Sequence, residues 1–309
     1  MKLAMVFPGQ GSQAVGMLRG YEGLPGVAEV RAEAAEVLGG EFIRMLDAGP
    51  AEALNQTINT QPAMLAADCA AYRAWRGLGG PQPVVVAGHS LGEYAALVAA
   101  GVLAFRDCLP LVRSRAVFMQ EAVPPGEGAM AAILGLDDDG VRQACAEALG
   151  RVQAVNFNAP GQVVIAGEAR AVERATQLCK SRGAKRAMPL PVSAPFHTSL
   201  MQPAGERLKE FLAAISFSRP KIDLVNNVDV KIETEPQAIK DALARQAASP
   251  VRWVETIRKM RSLGVTHIIE CGPGKVLTGL NRRIEDSLQC IAVSDKASLE
   301  QALQEIKGA

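Results

Sequence analysis

Three short, largely apolar runs, Leu3–Phe7, 84–87 and 267–270, each end on a glycine-containing turn and give way to longer stretches of helical periodicity. A strand apolar on both faces must be covered on both faces, which is the situation of a parallel sheet flanked by helices. The pattern therefore selects layered α/β architecture and disfavours bundles and sandwiches. Helices are predicted over 65–78, 93–100, 109–121, 199–214, 236–247, 251–263, 276–284 and 298–307.

The middle of the chain keeps a different rhythm. Strands are predicted over 130–134, 152–156, 162–167 and 184–190, with helices over 138–149 and 171–182, a β-α-β-β-α-β order. Pro124-Pro125-Gly126 opens this stretch and Pro189-Leu190-Pro191 closes it, stiff punctuation of the kind that bounds an inserted subdomain. The expected organisation is thus a core made of 1–125 and 192–309, with 126–191 inserted.

The balance of 33 basic against 32 acidic side chains leaves a formal charge of +1, so no whole-molecule field gathers nucleic acid or an anionic membrane. The longest apolar run, 94–105, falls short of the roughly 18 residues of a spanning helix. The apolar start breaks at Pro8-Gly9, too early for a signal peptide. Six scattered cysteines without a C-x-x-C pair read as reduced core thiols, and three histidines without H-E-x-x-H offer no metal site. A cytoplasmic protein with no metal and no cofactor is expected.

The strongest chemical signal is Gly88-His89-Ser90-Leu91-Gly92, a G-x-S-x-G between a predicted strand and a predicted helix. A serine on such a turn is exposed at the helix N-terminus, which favours developing negative charge, and the N–H of Leu91 then faces an oxyanion. Three histidines compete as its base. His89 should leave by the face opposite Ser90, and His267 reads as a satisfied histidine of a buried strand. His197, in Val192-Ser193-Ala194-Pro195-Phe196-His197-Thr198, stands where the chain returns from the insertion and a cleft wall is expected. Gly9-Gln10-Gly11-Ser12-Gln13 after the first strand is either a polar loop or the source of a second oxyanion-hole N–H. Arg113 and Arg115 both flank the apolar stripe Leu109, Val112, Ala116, Met119, and the helical wheel does not choose between them.

Together with Phe7-Pro8, Asn156-Phe157-Asn158-Ala159-Pro160-Gly161-Gln162, Gln246 and Glu270-Cys271-Gly272-Pro273-Gly274, these segments resemble, in order and spacing along essentially the whole chain, the malonyl-CoA:acyl-carrier-protein transacylase family. The resemblance implies an α/β-hydrolase-like core with a parallel sheet, an inserted ferredoxin-like subdomain, and an active site between them. It implies Ser90 as nucleophile, His197 as its base, the backbone N–H groups of Gln10 and Leu91 as oxyanion hole, and Arg115 as partner of the malonyl carboxylate. Gln246 would orient the histidine through its main-chain carbonyl, so no acidic triad member is expected. Leu91 and Phe196 accompany malonyl over methylmalonyl selection in related acyltransferases, with Phe196 narrowing the pocket. The implied reaction is ping-pong malonyl transfer from malonyl-CoA to the phosphopantetheine thiol of acyl carrier protein, supplying fatty-acid elongation. A polyketide-synthase loader would use the same residues. A serine esterase or thioesterase shares the turn, but its histidine normally comes late in the chain, whereas over one hundred residues follow His197. A non-catalytic carrier-binding module fits poorly with an intact serine and histidine. A monomer is expected, with Lys185-Arg186 or Lys275 with Arg282-Arg283 as alternative docking patches for an acidic carrier protein.

Overall fold

The computed structural model describes residues 1–192 and 194–308. Its strands are β1 (Leu3–Phe7), β2 (Val85–Gly88), β3 (Gly128–Leu134), β4 (Val152–Ala159), β5 (Gln162–Glu168), β6 (Arg186–Pro189), β7 (Asp223–Leu224), β8 (His267–Cys271) and β9 (Gln289–Val293). They form two sheets.

The first is wholly parallel, in the order β7-β2-β1-β8-β9. Alternate residues of β1 serve two separate cores, as a doubly covered strand requires. Met5 and Phe7 pack with Val86 and Ile269 beneath the helices Thr57–Gly77 and Phe105–Glu121, while Ala4 and Val6 pack with Val85 and Ile268 against Trp253 and Leu277. This alternation fixes the register Ala4↔Val85 and Ala4↔Ile268, because a one-residue slip would exchange the two faces.

The second sheet is antiparallel, in the order β4-β5-β3-β6, with the helices Asp138–Glu147 and Ala169–Ser181 on one face. This is the ferredoxin-like arrangement of the β-α-β-β-α-β order. The Asp137 side chain accepts from Gly140 N at 2.7 Å and so caps the first of these helices. The other face of this sheet, through Met130, Val155, Val164 and Ala166, packs against Met119, Val123, Phe196 and Met201. Val155 and Phe157 of β4 also exchange backbone hydrogen bonds with Val251, tying the second sheet to the segment that leads into the helix Trp253–Ser262.

Two helices start earlier than predicted, at Thr57 and Phe105. Each contains a proline in its second turn, Pro62 and Pro110, which removes one N–H and made 65 and 109 look like the starts. The region 27–54, left unassigned above, holds helices Val27–Leu38, Gly40–Ala48 and Ala51–Leu54, separated by Gly39 and by Gly49-Pro50. β7 and β9 were also not anticipated; β7, at two residues, is too short to carry a periodic signal. All six cysteines are buried and unpaired; burial pushes the Cys145 thiol up to about 12 and Cys290 to about 11. Among the described residues no helix is long and apolar enough to cross a membrane.

Candidate active site

The site gathers at the carboxyl ends of the parallel strands, where open α/β sheets present their loops. β2 ends at Gly88 and the helix Gly92–Ala99 begins four residues later, so the chain must reverse within His89-Ser90-Leu91. The turn closes only because both flanking residues lack a Cβ: one on Gly88 would collide with the Gly92 carbonyl, and one on Gly92 with the Phe7 carbonyl. Ser90 itself takes φ 52°, a left-handed conformation that costs a serine about 1–3 kcal/mol and that the surroundings must hold. Asn227 does so directly. Its Oδ1 accepts from Ser90 N at 2.8 Å and its Nδ2 donates to Gly88 O at 2.7 Å, clamping both sides of the turn.

His197, 107 residues away in sequence, is brought to 2.7 Å from Ser90 Oγ through Nε2. Its own φ of 65° is likewise left-handed, so two of the four non-glycine residues with positive φ among the described residues form this pair. Nδ1 lies 3.0 Å from the Gln246 main-chain carbonyl, which can only accept; Nδ1 therefore carries the proton and Nε2 turns its lone pair to the serine hydroxyl. No carboxylate contacts the ring among the described residues. Burial, reinforced by the positive Arg115, holds the imidazole down to about 3, so it is neutral at ordinary pH.

Arg115 is 1% exposed, and its guanidinium is aimed at the serine. Nη2 donates to Ser90 Oγ at 3.1 Å and to Gln246 Oε1 at 2.9 Å, while Nη1 donates to Gln61 Oε1 at 2.7 Å. Tyr94 offers its ring face 5.3 Å from the guanidinium carbon. Nε has no partner, and no carboxylate forms an ion pair with Arg115 among the described residues. Burial pulls this guanidinium below its usual range. A buried cation held by neutral oxygens beside a nucleophile is a seat for an anionic substrate group. The exposed Arg113 points elsewhere, into a groove with Phe42, Met45 and Pro62.

Gln10 and Leu91 lie on neighbouring turns: Gly9 packs against the His89 carbonyl, and His89 N donates to Phe7 O at 2.9 Å. The N–H groups of Gln10 and Leu91 have no acceptor among the described residues, so both are free to receive one. The Gln10 side chain is anchored by Thr57 Oγ1 at 2.8 Å, and Thr57 in turn receives Gln61 Nε2 at 3.1 Å, which joins this loop to the oxygens around Arg115. Phe196 is 8% exposed and packs with Met119, Met130 and Met201 between the second sheet and the helix Phe105–Glu121. Ser193, in the same loop, lies outside the described residues.

His89 leaves the turn away from Ser90, with Nε2 2.8 Å from Asn158 Oδ1 and its ring 5.5 Å from Trp253. The expectation of a buried His267 is corrected: it opens β8 at the sheet's surface end, half-buried, with Nδ1 2.9 Å from Thr266 Oγ1. Glu270, at the other end of β8, accepts from Leu277 N at 3.0 Å and Thr278 N at 2.6 Å, capping the helix Val276–Ile284 after the Gly272-Pro273-Gly274 turn. The two basic patches, read as alternatives, approach each other at Arg283 and Lys185. Arg283 donates to Gln162 Oε1 at 2.5 Å and Pro160 O at 3.1 Å, Gly135 N donates to Gly161 O at 2.8 Å, and Lys185 packs on Gly135. Lys185, Arg186, Lys275, Arg282 and Arg283 are all exposed.

Three residues of the site had been given no role. Gln61 and Asn227 carry no local motif. Glu93 is the first residue of the helix predicted over 93–100. In the fold it is 2% exposed, and Oε2 accepts from Gln246 Nε2 at 2.8 Å and Asn227 N at 3.0 Å. Burial pushes its carboxyl up to about 7, against the pull of those two bonds and of Arg115.

Comparison with known proteins gives the family. The acyl transferase domain model matches residues 4–299. The malonyl CoA-acyl carrier protein transacylase of Escherichia coli K12 is 54% identical over 306 residues, 98% of this chain and 99% of that protein, and that of Bacillus subtilis 168 is 47% identical over 99% and 98%. The crystal structure of the acyl-carrier-protein S-malonyltransferase from Burkholderia pseudomallei 1710b superposes with a TM-score of 0.97 at 59% identity, covering 98% of this chain and all of that one. A malonyl-transacylase solved in complex with a type II polyketide-synthase acyl carrier protein also gives 0.97, at 52% identity, over 99% of this chain and all of its own. The chain therefore belongs to the acyl transferase domain family, among its malonyl-CoA:acyl-carrier-protein transacylases.

Proposed function

We propose that this protein moves the malonyl group of malonyl-CoA onto the phosphopantetheine thiol of acyl carrier protein through an ester on Ser90. The observation that carries the reading is the convergence on one hydroxyl: Ser90 Oγ stands 2.7 Å from a neutral imidazole and 3.1 Å from a buried guanidinium that lacks a carboxylate partner. The first arrangement activates a nucleophile; the second selects an acyl group that ends in a carboxylate.

In the first half-reaction Ser90 Oγ attacks the thioester carbonyl as its proton passes to His197 Nε2. The oxyanion is received by the N–H groups of Gln10 and Leu91. Collapse breaks the carbon–sulfur bond, and the departing CoA sulfur takes the proton from His197. In the second, the pantetheine thiol gives its proton to His197 and attacks the seryl ester, and Ser90 recovers the proton as it leaves. The malonyl carboxylate on Arg115 also neutralises the charge that depresses His197, so the base strengthens when the correct substrate is bound. Phe196 would crowd the malonyl α-carbon, a discrimination worth only about 1–3 kcal/mol per methyl.

Residues 126–191 are read as an inserted subdomain roofing a core of 1–125 and 192–309. The basic surface at Lys185, Arg186 and Arg283 would receive an acidic carrier protein, beside the end of β4, whose Asn158 touches His89. The protein is read as a cytoplasmic monomer serving fatty-acid elongation. The test is transfer itself: with malonyl-CoA and holo acyl carrier protein, malonyl should appear on the carrier thiol. Release of free malonate at the same rate without carrier would instead mark a thioesterase.

A further inference from the structure

The Gln246 side chain is held between a group that can only donate and one placed to accept. Arg115 Nη2 donates to its Oε1 at 2.9 Å, whereas its Nε2 donates to Glu93 Oε2 at 2.8 Å and to the Ser90 carbonyl at 3.0 Å. A carboxamide turned by 180° has the same shape but opposite hydrogen-bonding ends. Turned so, Gln246 would set its NH₂ against the guanidinium N–H and its oxygen against Glu93 Oε2 and the Ser90 carbonyl, three mismatches in a buried site. The acceptors at Glu93 and at the Ser90 carbonyl together select the orientation that offers Arg115 an oxygen, and of the two only Glu93 is a side chain.

We propose that Glu93 is a positioning residue for acyl selection, which through the Gln246 carboxamide holds the Arg115 guanidinium in register with Ser90 Oγ. The inference rests on the functional reading above and adds a residue to it. Glu93 has no hydrogen bond to Ser90 Oγ, His197 or Arg115 among the described residues. Histidine orientation uses the main-chain carbonyl of Gln246, at the end of the helix Pro236–Gln246, and does not depend on the side chain. The two functions of Gln246 are therefore separable: the backbone serves the chemistry common to every acyl group, and the side chain serves the group that needs Arg115.

The test compares single-turnover acylation of the full-length enzyme by malonyl-CoA and by acetyl-CoA, read by intact-protein mass spectrometry. Glu93→Met, which removes the acceptor at similar length, should lower the malonyl-to-acetyl rate ratio about tenfold or more. Glu93→Gln can place its carboxamide oxygen where Oε2 stands and should keep the ratio within about threefold of the parent. Gln246→Met keeps the main-chain carbonyl and should reproduce the Glu93→Met ratio, with the double variant no worse than either single one; it also serves if Glu93→Met does not fold. Equal loss for both acyl groups, additive singles, or a Glu93→Gln that behaves like Glu93→Met would each overturn the proposal. A parent enzyme that takes malonyl on Ser90 while the ratio stays fixed defeats this inference alone; a parent that takes no acyl group defeats the functional reading and this inference with it.

Discussion

Replacing Arg115 by alanine should convert a malonyl-selective enzyme into one that prefers acetyl. The guanidinium is buried and already bonded to Gln61, Gln246 and Ser90, so an arriving carboxylate exchanges partners and does not fill an empty site. The bonds given up are donated by the same guanidinium and are themselves charge-assisted, so the effect is set by what stranding one partner of a buried charge pair costs and not by a count of bonds. Truncating one partner of a buried, hydrogen-bonded charge pair costs about 2–5 kcal/mol. At about 1.4 kcal/mol per decade this corresponds to a loss of roughly thirtyfold to several thousandfold in malonyl acylation. Acetyl-CoA brings no carboxylate, and the nearby charge that depresses His197 is gone, so acetyl acylation should hold or rise. Alanine also strands the oxygens of Gln61 and Gln246, so absolute rates mix catalysis with stability and the assay is the ratio of the two acylation rates. A ratio unchanged within threefold, with both rates reduced, would show that Arg115 supports the fold and does not read the substrate.

His197→Ala should lower both acylation rates by about 10²–10⁴-fold. Because burial and Arg115 hold the imidazole down to about 3, acylation by the parent should show no acid limb near 6.5 that depends on His197; an inflection there that vanishes in the alanine variant would contradict the assignment. The same depression has a stability consequence: between about 3 and 6.5 the unfolded chain binds a proton that the folded one refuses, so the fold is progressively destabilised as pH falls from about 6.5 toward 3. Charge reversal at Lys185, Arg186 and Arg283 together should raise the apparent KM for carrier protein and flatten its salt dependence while leaving the malonyl-CoA half-reaction within about twofold. Carrier kinetics indifferent to all three reversals would place docking elsewhere.

What the sequence displayed was local chemistry with a backbone cause. The Gly88–Gly92 turn is legible because only glycine fits at its two ends, and the two-faced strand Leu3–Phe7 because both of its sides meet apolar layers. The choice between Arg113 and Arg115 was not legible from the stripe Leu109, Val112, Ala116, Met119. The buried face in the fold also takes in Cys108 and Leu111, and Arg115 falls inside that wider stripe; which flank is covered depends on what packs there. His197 was legible from its place where the chain returns from the insertion, whereas Gln246 and the choice of Arg115 came from resemblance to a family. Glu93, Gln61 and Asn227 escaped both approaches. Glu93 meets partners 134 and 153 positions away, and Asn227 follows a strand of two residues, so neither leaves a periodic or local trace. The prolines at 62 and 110 hid helix starts because a helix tolerates the loss of one N–H when its flanks are packed, a cost that tertiary burial covers.

The central claim is that one serine carries the acyl group, and mass spectrometry addresses it directly. The parent enzyme mixed with malonyl-CoA should gain one malonyl mass, peptide mapping should place it on Ser90, and holo acyl carrier protein should remove it as malonyl appears on the carrier's thiol. Ser90→Ala should take up none. Malonyl mapped to any cysteine or to another serine, or an adduct that carrier protein leaves in place while water clears it, would contradict the account.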